Sequence, residues 1–141
     1  MTRARVIIAV AVAAAAGWGC GSLAPRERSA GPAVADGGVR FHLYAPEASR
    51  VQLAGSWPEN NWARGDGSAG EADIGLMDDP SGDGNWEIVV PLEPGRYQYL
   101  FWLDEHTWRI DPGNAEEVPG GPAGRASLLV VVVRDGKTEV R

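Results

Sequence analysis

The stretch from Gly84 to Pro112, GNWEIVVPLEPGRYQYLFWLDEHTWRIDP, determines the fold predicted for this chain. An apolar or aromatic residue occupies every second position from Trp86 to Val90 and again from Tyr97 to Leu103, which is the period of a β-strand with one face toward a core. Between the two segments, Pro94-Gly95 is a typical turn sequence. The stretch therefore predicts an antiparallel hairpin. Its core-facing side chains are predicted to be Trp86, Ile88, Val90, Tyr97, Tyr99, Phe101 and Leu103.

The other face of the second strand carries Arg96, Gln98, Leu100 and Trp102. Apolar side chains thus occur on both faces near the strand end, which predicts an apolar surface there. Indole rings fill a small core poorly, because a buried N–H needs a hydrogen-bond partner. The chain has six tryptophans and only two phenylalanines, so we expect some tryptophans to contact a ligand or a partner.

Short strands are also predicted on both sides of this stretch. The predicted strands are residues 39–44, 50–55, 108–110 and 126–133, with 74–77 and 137–141 as a short strand and an edge strand. The polar, Gly-rich range 55–75 between them predicts a long loop that holds Trp57 and Trp62. No helix with capping signals follows Asp36. The pattern predicts an all-β chain folded as an antiparallel β-sandwich of about seven strands.

The N-terminus has the organisation of an export signal. Arg3 and Arg5 precede the apolar range 6–16, which is too short for a permanent membrane span. Cys20 follows, and this arrangement resembles a bacterial lipoprotein cleavage site, which implies that Cys20 becomes the lipidated first residue. The alternative is an ordinary signal peptide with a free thiol. Predicted localisation is the bacterial cell envelope as a membrane-anchored lipoprotein, or alternatively the periplasm or the medium.

Three segments follow from these patterns. Residues 1–19 are predicted to be the signal peptide, and 20–36 the lipidated cysteine with a flexible tether, because this range is small, charged and without an apolar period. Residues 37–141 are predicted to form the sandwich.

Composition and motifs disfavour several classes of function. The net charge of -6 disfavours nucleic acid as a partner, and a single cysteine excludes an internal disulfide and a zinc site of the cysteine-cluster type. His42 and His106 stand alone, and no nucleophile motif, phosphate loop or metal spacing is present. The acidic turn around Asp79 and Asp83 is interpreted as a solvated turn rather than a calcium loop. We therefore predict no catalytic residue, no metal and no cofactor.

A series of motifs resembles carbohydrate-binding family 48, which includes the glycogen-binding domain of the AMP-activated protein kinase β subunit and the N-terminal domain of isoamylases. The matching residues are Gly55-Ser56, Asn60-Asn61-Trp62, Gly84, Trp86, Leu92, Gly95, Tyr97, Tyr99, Phe101, Leu103-Asp104, Trp108 and Asp111-Pro112. The resemblance implies an early-set immunoglobulin-like sandwich over about residues 39–133.

The resemblance also implies a glycan site. In glycan-binding members two tryptophans form a platform, and they match Trp62 and Trp108; a lysine and an asparagine add hydrogen bonds. The lysine position is Leu100 here, and the asparagine position falls near Ala126 or Ser127. The predicted glycan-binding residues are Trp62, Trp108, Trp102, Leu100, Gln98, Asn61 and Ser127.

Two functions remain open from the sequence. The first is a non-catalytic, membrane-anchored module that stacks α-glucan on surface tryptophans. The second is a protein-interaction module of the cell envelope that has kept the fold and lost sugar binding. The retained tryptophans favour the first, and the missing lysine and asparagine favour the second.

Overall fold

The computed structural model describes residues 28–65 and 73–141, and these ranges contain nine β-strands and no α-helix. The strands are β1 (Ala33–Ala35), β2 (Gly38–Tyr44), β3 (Val51–Gly55), β4 (Asn85–Val90), β5 (Gly95–Leu103), β6 (Thr107–Arg109), β7 (Glu117–Pro119), β8 (Arg125–Arg134) and β9 (Lys137–Val140). The count exceeds the predicted seven because β1 and β7 are short and escaped prediction.

Two antiparallel sheets form the predicted sandwich. The smaller sheet has the order β1-β2-β4, and the larger has the order β3-β5-β8-β7. In the larger sheet β6 pairs with β5, and β9 pairs with β8. The apolar β8 lies inside this sheet, as its continuous apolar run predicts. The all-β, immunoglobulin-like antiparallel sandwich is therefore confirmed.

The predicted hairpin is wrong in one respect, because β4 and β5 lie in different sheets. β4 pairs with β2 along its whole length, whereas β5 pairs with β3 and β8. The link between them contains Pro91 and Pro94, which lack the N–H groups that a continued ladder needs. The chain therefore crosses from one sheet to the other here, and the apolar faces of both strands still meet the same core.

Aromatic side chains from both sheets form the centre of the core. Phe41 of β2 packs edge-on against Tyr99 of β5 with ring centroids 5.0 Å apart, and Phe101 adjoins Tyr99 at 6.0 Å. Trp57, from the loop after β3, is only 5% exposed and stacks on Phe41 at 6.1 Å. Trp57 is thus a core residue. Trp86, predicted to face the core, is half-buried, and its indole N–H donates to the carbonyl of Ala45 at 3.1 Å.

The folded part begins earlier than residue 37. β1 pairs with β2, with Val34 opposite Val39, so the last part of the predicted 20–36 tether belongs to the sandwich. Ser29 adds a further tie, because its hydroxyl accepts a hydrogen bond from the Tyr44 N–H at 2.8 Å. The predicted signal peptide, Cys20 and the tether up to residue 27 lie outside the described residues. The described part has no helix with the length and hydrophobicity needed to cross a bilayer.

The predicted strand at 74–77 is reduced to a single bridge. Leu76 forms an isolated β-bridge with Gln52 of β3. Two residues later, Asp78 forms a second isolated bridge with Glu87 of β4. The segment therefore closes the gap between the two sheets at their β3 and β4 edges without forming a strand.

Candidate functional site

The outer face of the larger sheet holds most of the predicted site residues. Residues directly opposite each other in an antiparallel ladder point to the same side of the sheet. Trp102 lies opposite Trp108 of β6, and Gln98 lies opposite Leu128 of β8. The alternation along β5 places Gln98 and Trp102 on the face away from Tyr99 and the core, as predicted.

Trp62 reaches this face from a left-handed turn. Asn61, Trp62 and Ala63 have φ angles of 44°, 59° and 61°, a region that L-residues other than glycine rarely adopt. Three such residues in succession store strain that the surrounding contacts must offset. The N–H of Trp62 donates to the carbonyl of Gly55 at 2.8 Å, which fixes the turn against the end of β3.

Asn60 holds this turn from inside. Its side chain is 3% exposed, and its Oδ1 accepts from the N–H groups of Gly55 and Ala63, each at 2.7 Å. Its Nδ2 donates to the carbonyl of Leu53, also at 2.7 Å. One buried amide thus satisfies three backbone groups and fixes the position from which Trp62 projects.

A glycine pair forms the opposite wall. Gly120 and Gly121 have φ angles of 138° and 70°, which favour glycine. A Cβ at Gly120 would lie 2.5 Å from Oε1 of Gln98, and one at Gly121 would lie 2.8 Å from the ring of Trp62. The two glycines therefore let the turn before β8 approach the Gln98 amide and the Trp62 indole closely.

A cleft of about 360 Å³ lies between the Trp62 turn and the glycine turn. It is lined by Ser56, Trp62, Arg96, Tyr97, Gln98, Val118, Gly121 and Leu128. Ser56 makes two hydrogen bonds with the backbone of Gln98. The Ser56 N–H donates to the Gln98 carbonyl at 2.9 Å, and the Ser56 hydroxyl accepts from the Gln98 N–H at 3.0 Å. The cleft combines one indole, an amide and a guanidinium with aliphatic walls, the mixture typical of small-ligand sites.

Trp102 and Trp108 form a separate aromatic pair. Their ring centroids are 5.2 Å apart and their planes are 13° from parallel, so one face of each indole stacks against the partner indole. Both side chains are half-buried. Trp102 lies four positions after Gln98 on β5, which corresponds to about 13 Å. Trp108 and Trp62 thus lie on the same side of the sheet but in two distinct groups.

Two predicted site residues are unavailable to a ligand. Leu100 was predicted to extend the apolar surface, but its side chain is 0% exposed. Ser127 lies opposite Tyr99, so it points into the core, where it is 0% exposed and its hydroxyl accepts from the Asp111 N–H at 2.9 Å. Asn61 is exposed, but its amide donates to the carbonyl of Gly65 at 2.9 Å within its own turn.

Sequence reasoning missed four residues that shape the cleft: Asn60, Arg96, Gly120 and Gly121. Arg96 lies two residues before Gln98 and therefore on the same face of β5. This spacing could have identified Arg96 as a candidate from the sequence. The two adjacent glycines indicate a turn, but only the structure shows what packs against them.

Beneath the cleft, a buried hydrogen-bond network links β5 to β8. Tyr99 donates to Oδ2 of Asp111 at 2.7 Å, and Oδ1 of Asp111 accepts from the Gly113 N–H at 2.7 Å. Asn114 donates to the Tyr99 hydroxyl at 3.0 Å and to the Leu128 carbonyl at 2.8 Å. Burial raises the pKa of the Asp111 carboxyl. The hydrogen bonds from Tyr99 and from the Gly113 N–H lower this pKa, but their effect is smaller than that of burial.

The two histidines have structural surroundings. Nδ1 of His42 accepts from the Ala30 N–H at 3.0 Å, so the other ring nitrogen carries the proton and donates to Oδ1 of Asn85 at 2.9 Å. His106 is exposed in the turn before β6, beside the carbonyl of Leu103. Within 28–65 and 73–141, no group of three or more potential metal ligands comes together.

Comparison with known proteins gives one family. The model of carbohydrate-binding module 48, the isoamylase N-terminal domain, matches residues 29–113, which is more than half of the chain. The matched range begins before β1 and ends after β6, and it includes Trp62, Gln98, Trp102 and Trp108. No curated protein matches the chain.

Proposed function

The chain belongs to the carbohydrate-binding module 48 family, whose members are non-catalytic binding domains, and on this premise we propose that it binds an α-glucan in the cleft beside Trp62. Family membership itself indicates a carbohydrate ligand. We further propose that a sugar ring stacks on the indole of Trp62 while Gln98 and Arg96 provide hydrogen bonds to the ring substituents.

The observation that carries this proposal is the conformation of the Trp62 turn. A run of three left-handed, non-glycine residues is costly, and such strain is concentrated at binding and active sites. The buried Asn60 amide offsets the cost and orients one indole over a cleft with polar groups. Sugar rings have flat C–H faces, and base-aromatic stacking, a close analogue, contributes about 1–3 kcal/mol per ring.

The Trp102 and Trp108 pair provides a second contact in this proposal. Each indole retains one face that is not used in their mutual stacking. Because the pair lies about 13 Å along β5 from Gln98, a ligand that touches both groups must be an oligosaccharide or polysaccharide rather than a single sugar. The proposed α-glucan meets this requirement.

One observation favours the alternative, a protein-interaction module of the cell envelope. The family's lysine position is the buried Leu100, and the residues near the asparagine position, Ala126 and Ser127, are both 0% exposed. Two half-buried tryptophans on one sheet face are also a composition favoured at protein interfaces. A pull-down from envelope extract with wild type and the Trp102→Ala variant tests this alternative; a partner retained equally by both would rule out this surface as the interface.

Replacing Trp62 with alanine is expected to weaken glycan binding by roughly 5- to 150-fold, because one stacking contact is lost. The measurement is affinity electrophoresis of the full chain in gels containing glycogen or amylopectin. Trp108→Ala is expected to weaken binding less, because its loss leaves the cleft intact.

The matched control for both variants is Val89→Ser, on the smaller sheet, where Val89 is 43% exposed. This variant is expected to migrate as the wild type does in every gel. Absence of retardation of the wild type would refute α-glucan binding. If the double variant Trp62→Ala/Trp108→Ala is retarded as strongly as the wild type, the chain binds glycan but not at the proposed site.

Membrane anchoring through Cys20 is likewise proposed, from the order of charged, apolar and cysteine residues at the N-terminus. Several acyl chains at Cys20 would hold the domain at a membrane, since each buried CH₂ contributes about 0.8 kcal/mol. In bacterial cells fed a labelled fatty acid, the wild type is expected to incorporate label and sediment with membranes, and Cys20→Ser to do neither. Equal labelling of both chains would contradict lipidation at Cys20.

A further inference from the structure

The lining of the cleft beside Trp62 contains a cationic residue and no anionic one, although the chain is acidic. The formal net charge of the chain is -6, yet the residues that line the cleft include Arg96 and no Asp or Glu. Arg96 lies on the outer face of β5, two residues from Gln98, a separation of about 7 Å. A ligand group beside Arg96 is therefore next to a cation, and no carboxylate in the cleft lining competes with it for that cation.

Arg96 also lacks the acidic partner that most described arginines have. Arg40, Arg50, Arg109, Arg125 and Arg134 each lie within 4.0 Å of a carboxylate oxygen. Among residues 28–65 and 73–141, no ion pair is formed by Arg96, and its side chain is exposed. Its guanidinium carries five N–H donors in a planar fork that matches a carboxylate or phosphate.

We propose that the cleft selects glycans that carry an anionic group, which Arg96 binds while the sugar ring stacks on Trp62. This inference rests on the proposed glycan-binding function and specifies the ligand of the same site. The shared chemistry is an oxyanion attached to a sugar, either the carboxylate of a uronic acid or a phosphate monoester.

The charge pattern gives this selectivity a physical basis. An arginine pairs with a carboxylate or phosphate through two parallel N–H···O bonds, which fix the orientation of the ligand as well as adding attraction. Because Arg96 is exposed, the gain is that of a solvated pair, a preference of about 1.5- to 5-fold over the neutral sugar at low salt. Salt near 0.3 M shortens the Debye length to well below 10 Å and is expected to reduce the preference.

The test compares three maltoheptaose preparations: unmodified, oxidised at C6 to carry glucuronic acid, and phosphorylated at C6. Dissociation constants with the full chain are measured by tryptophan fluorescence at 20 mM and 300 mM salt. Arg96→Gln removes the cation and keeps hydrogen-bonding groups. Lys137→Gln, on β9, makes the same change in net charge away from the cleft and is the matched control.

Wild type and Lys137→Gln are expected to bind one or both anionic sugars about 1.5- to 5-fold more tightly at low salt, and Arg96→Gln to bind all three with equal affinity. Which anionic sugar is preferred identifies carboxylate or phosphate as the recognised group. Equal affinity of the wild type for all three would overturn the anion proposal while α-glucan binding stands. Binding to none would overturn both, and an anion preference retained in Arg96→Gln would refute the role of Arg96.

Discussion

Replacing Asn60 with alanine is expected to lower the free energy of unfolding by about 3 kcal/mol and to abolish glycan retardation. The variant leaves the Gly55 and Ala63 N–H groups and the Leu53 carbonyl without their partner, and each buried, unsatisfied group costs about 1–3 kcal/mol. The left-handed turn that carries Trp62 then loses the contacts that offset its strain. Urea unfolding measures the first effect and affinity electrophoresis the second.

The neighbouring Asn61 provides the matched control. It is exposed and makes one hydrogen bond, to the Gly65 carbonyl, so Asn61→Ala is expected to cost less than about 1 kcal/mol. Glycan binding is expected to persist, since Trp62 keeps its anchor to Gly55. A loss of stability in Asn60→Ala no larger than in Asn61→Ala would show that other contacts hold the turn.

The sequence predicted the main strands because burial on one face imposes a period of two. This signal identified β2, β3, β4 and β5, which have at least five residues each, whereas β8 was identified by its continuous apolar run. β1 and β7 have three residues each, too few for a period to appear. The β4–β5 hairpin was mistaken because Pro94-Gly95 suits a turn within one sheet and a crossing between sheets equally well; only the pairing partners distinguish them.

The site was predictable only where the pattern fixed a face. Alternation along β5 placed Gln98 and Trp102 outward, but it carries no information on what covers Leu100. Ser127 lies within the predicted strand 126–133, whose continuous apolar run has no alternation to indicate which residues face the core. Asn60 supports the site through side chain-to-backbone hydrogen bonds, and such bonds have no periodic signature in a sequence.

The buried Asp111 carboxyl gives the fold a specific pH dependence. Its side chain is 1% exposed, and burial raises its pKa above the usual value of about 3.9. The folded state therefore binds this proton more tightly than the unfolded state does. The stability that Asp111 contributes is fully present below about pH 3.9 and is lost as the pH rises through the folded-state pKa.

The Asp111→Asn variant isolates this dependence, because it keeps the size of the side chain and removes the titration. The free energy of unfolding of the wild type, measured by urea at pH values from 4 to 7, is expected to fall relative to that of Asp111→Asn. Asp83→Asn serves as the control: Asp83 is exposed, and a backbone hydrogen bond from Asn85 lowers its pKa, so its contribution is lost only toward acid. Parallel profiles for the wild type and Asp111→Asn would show that the Asp111 carboxyl has its ordinary pKa.

Asp111→Ala is expected to be more severe at every pH, with a loss of about 3 kcal/mol or more. It removes the acceptor of the Tyr99 hydroxyl and of the Gly113 N–H and leaves a cavity beside Tyr99 and Ser127. Tyr99→Phe tests the same network from the other side, because it leaves Oδ2 of Asp111 without its donor, at a cost of about 1–3 kcal/mol. Since the two residues share one hydrogen bond, the double variant is expected to lose less than the sum of the single losses. Additive losses would show that Tyr99 and Asp111 stabilise the sandwich independently and that the bond between them contributes nothing.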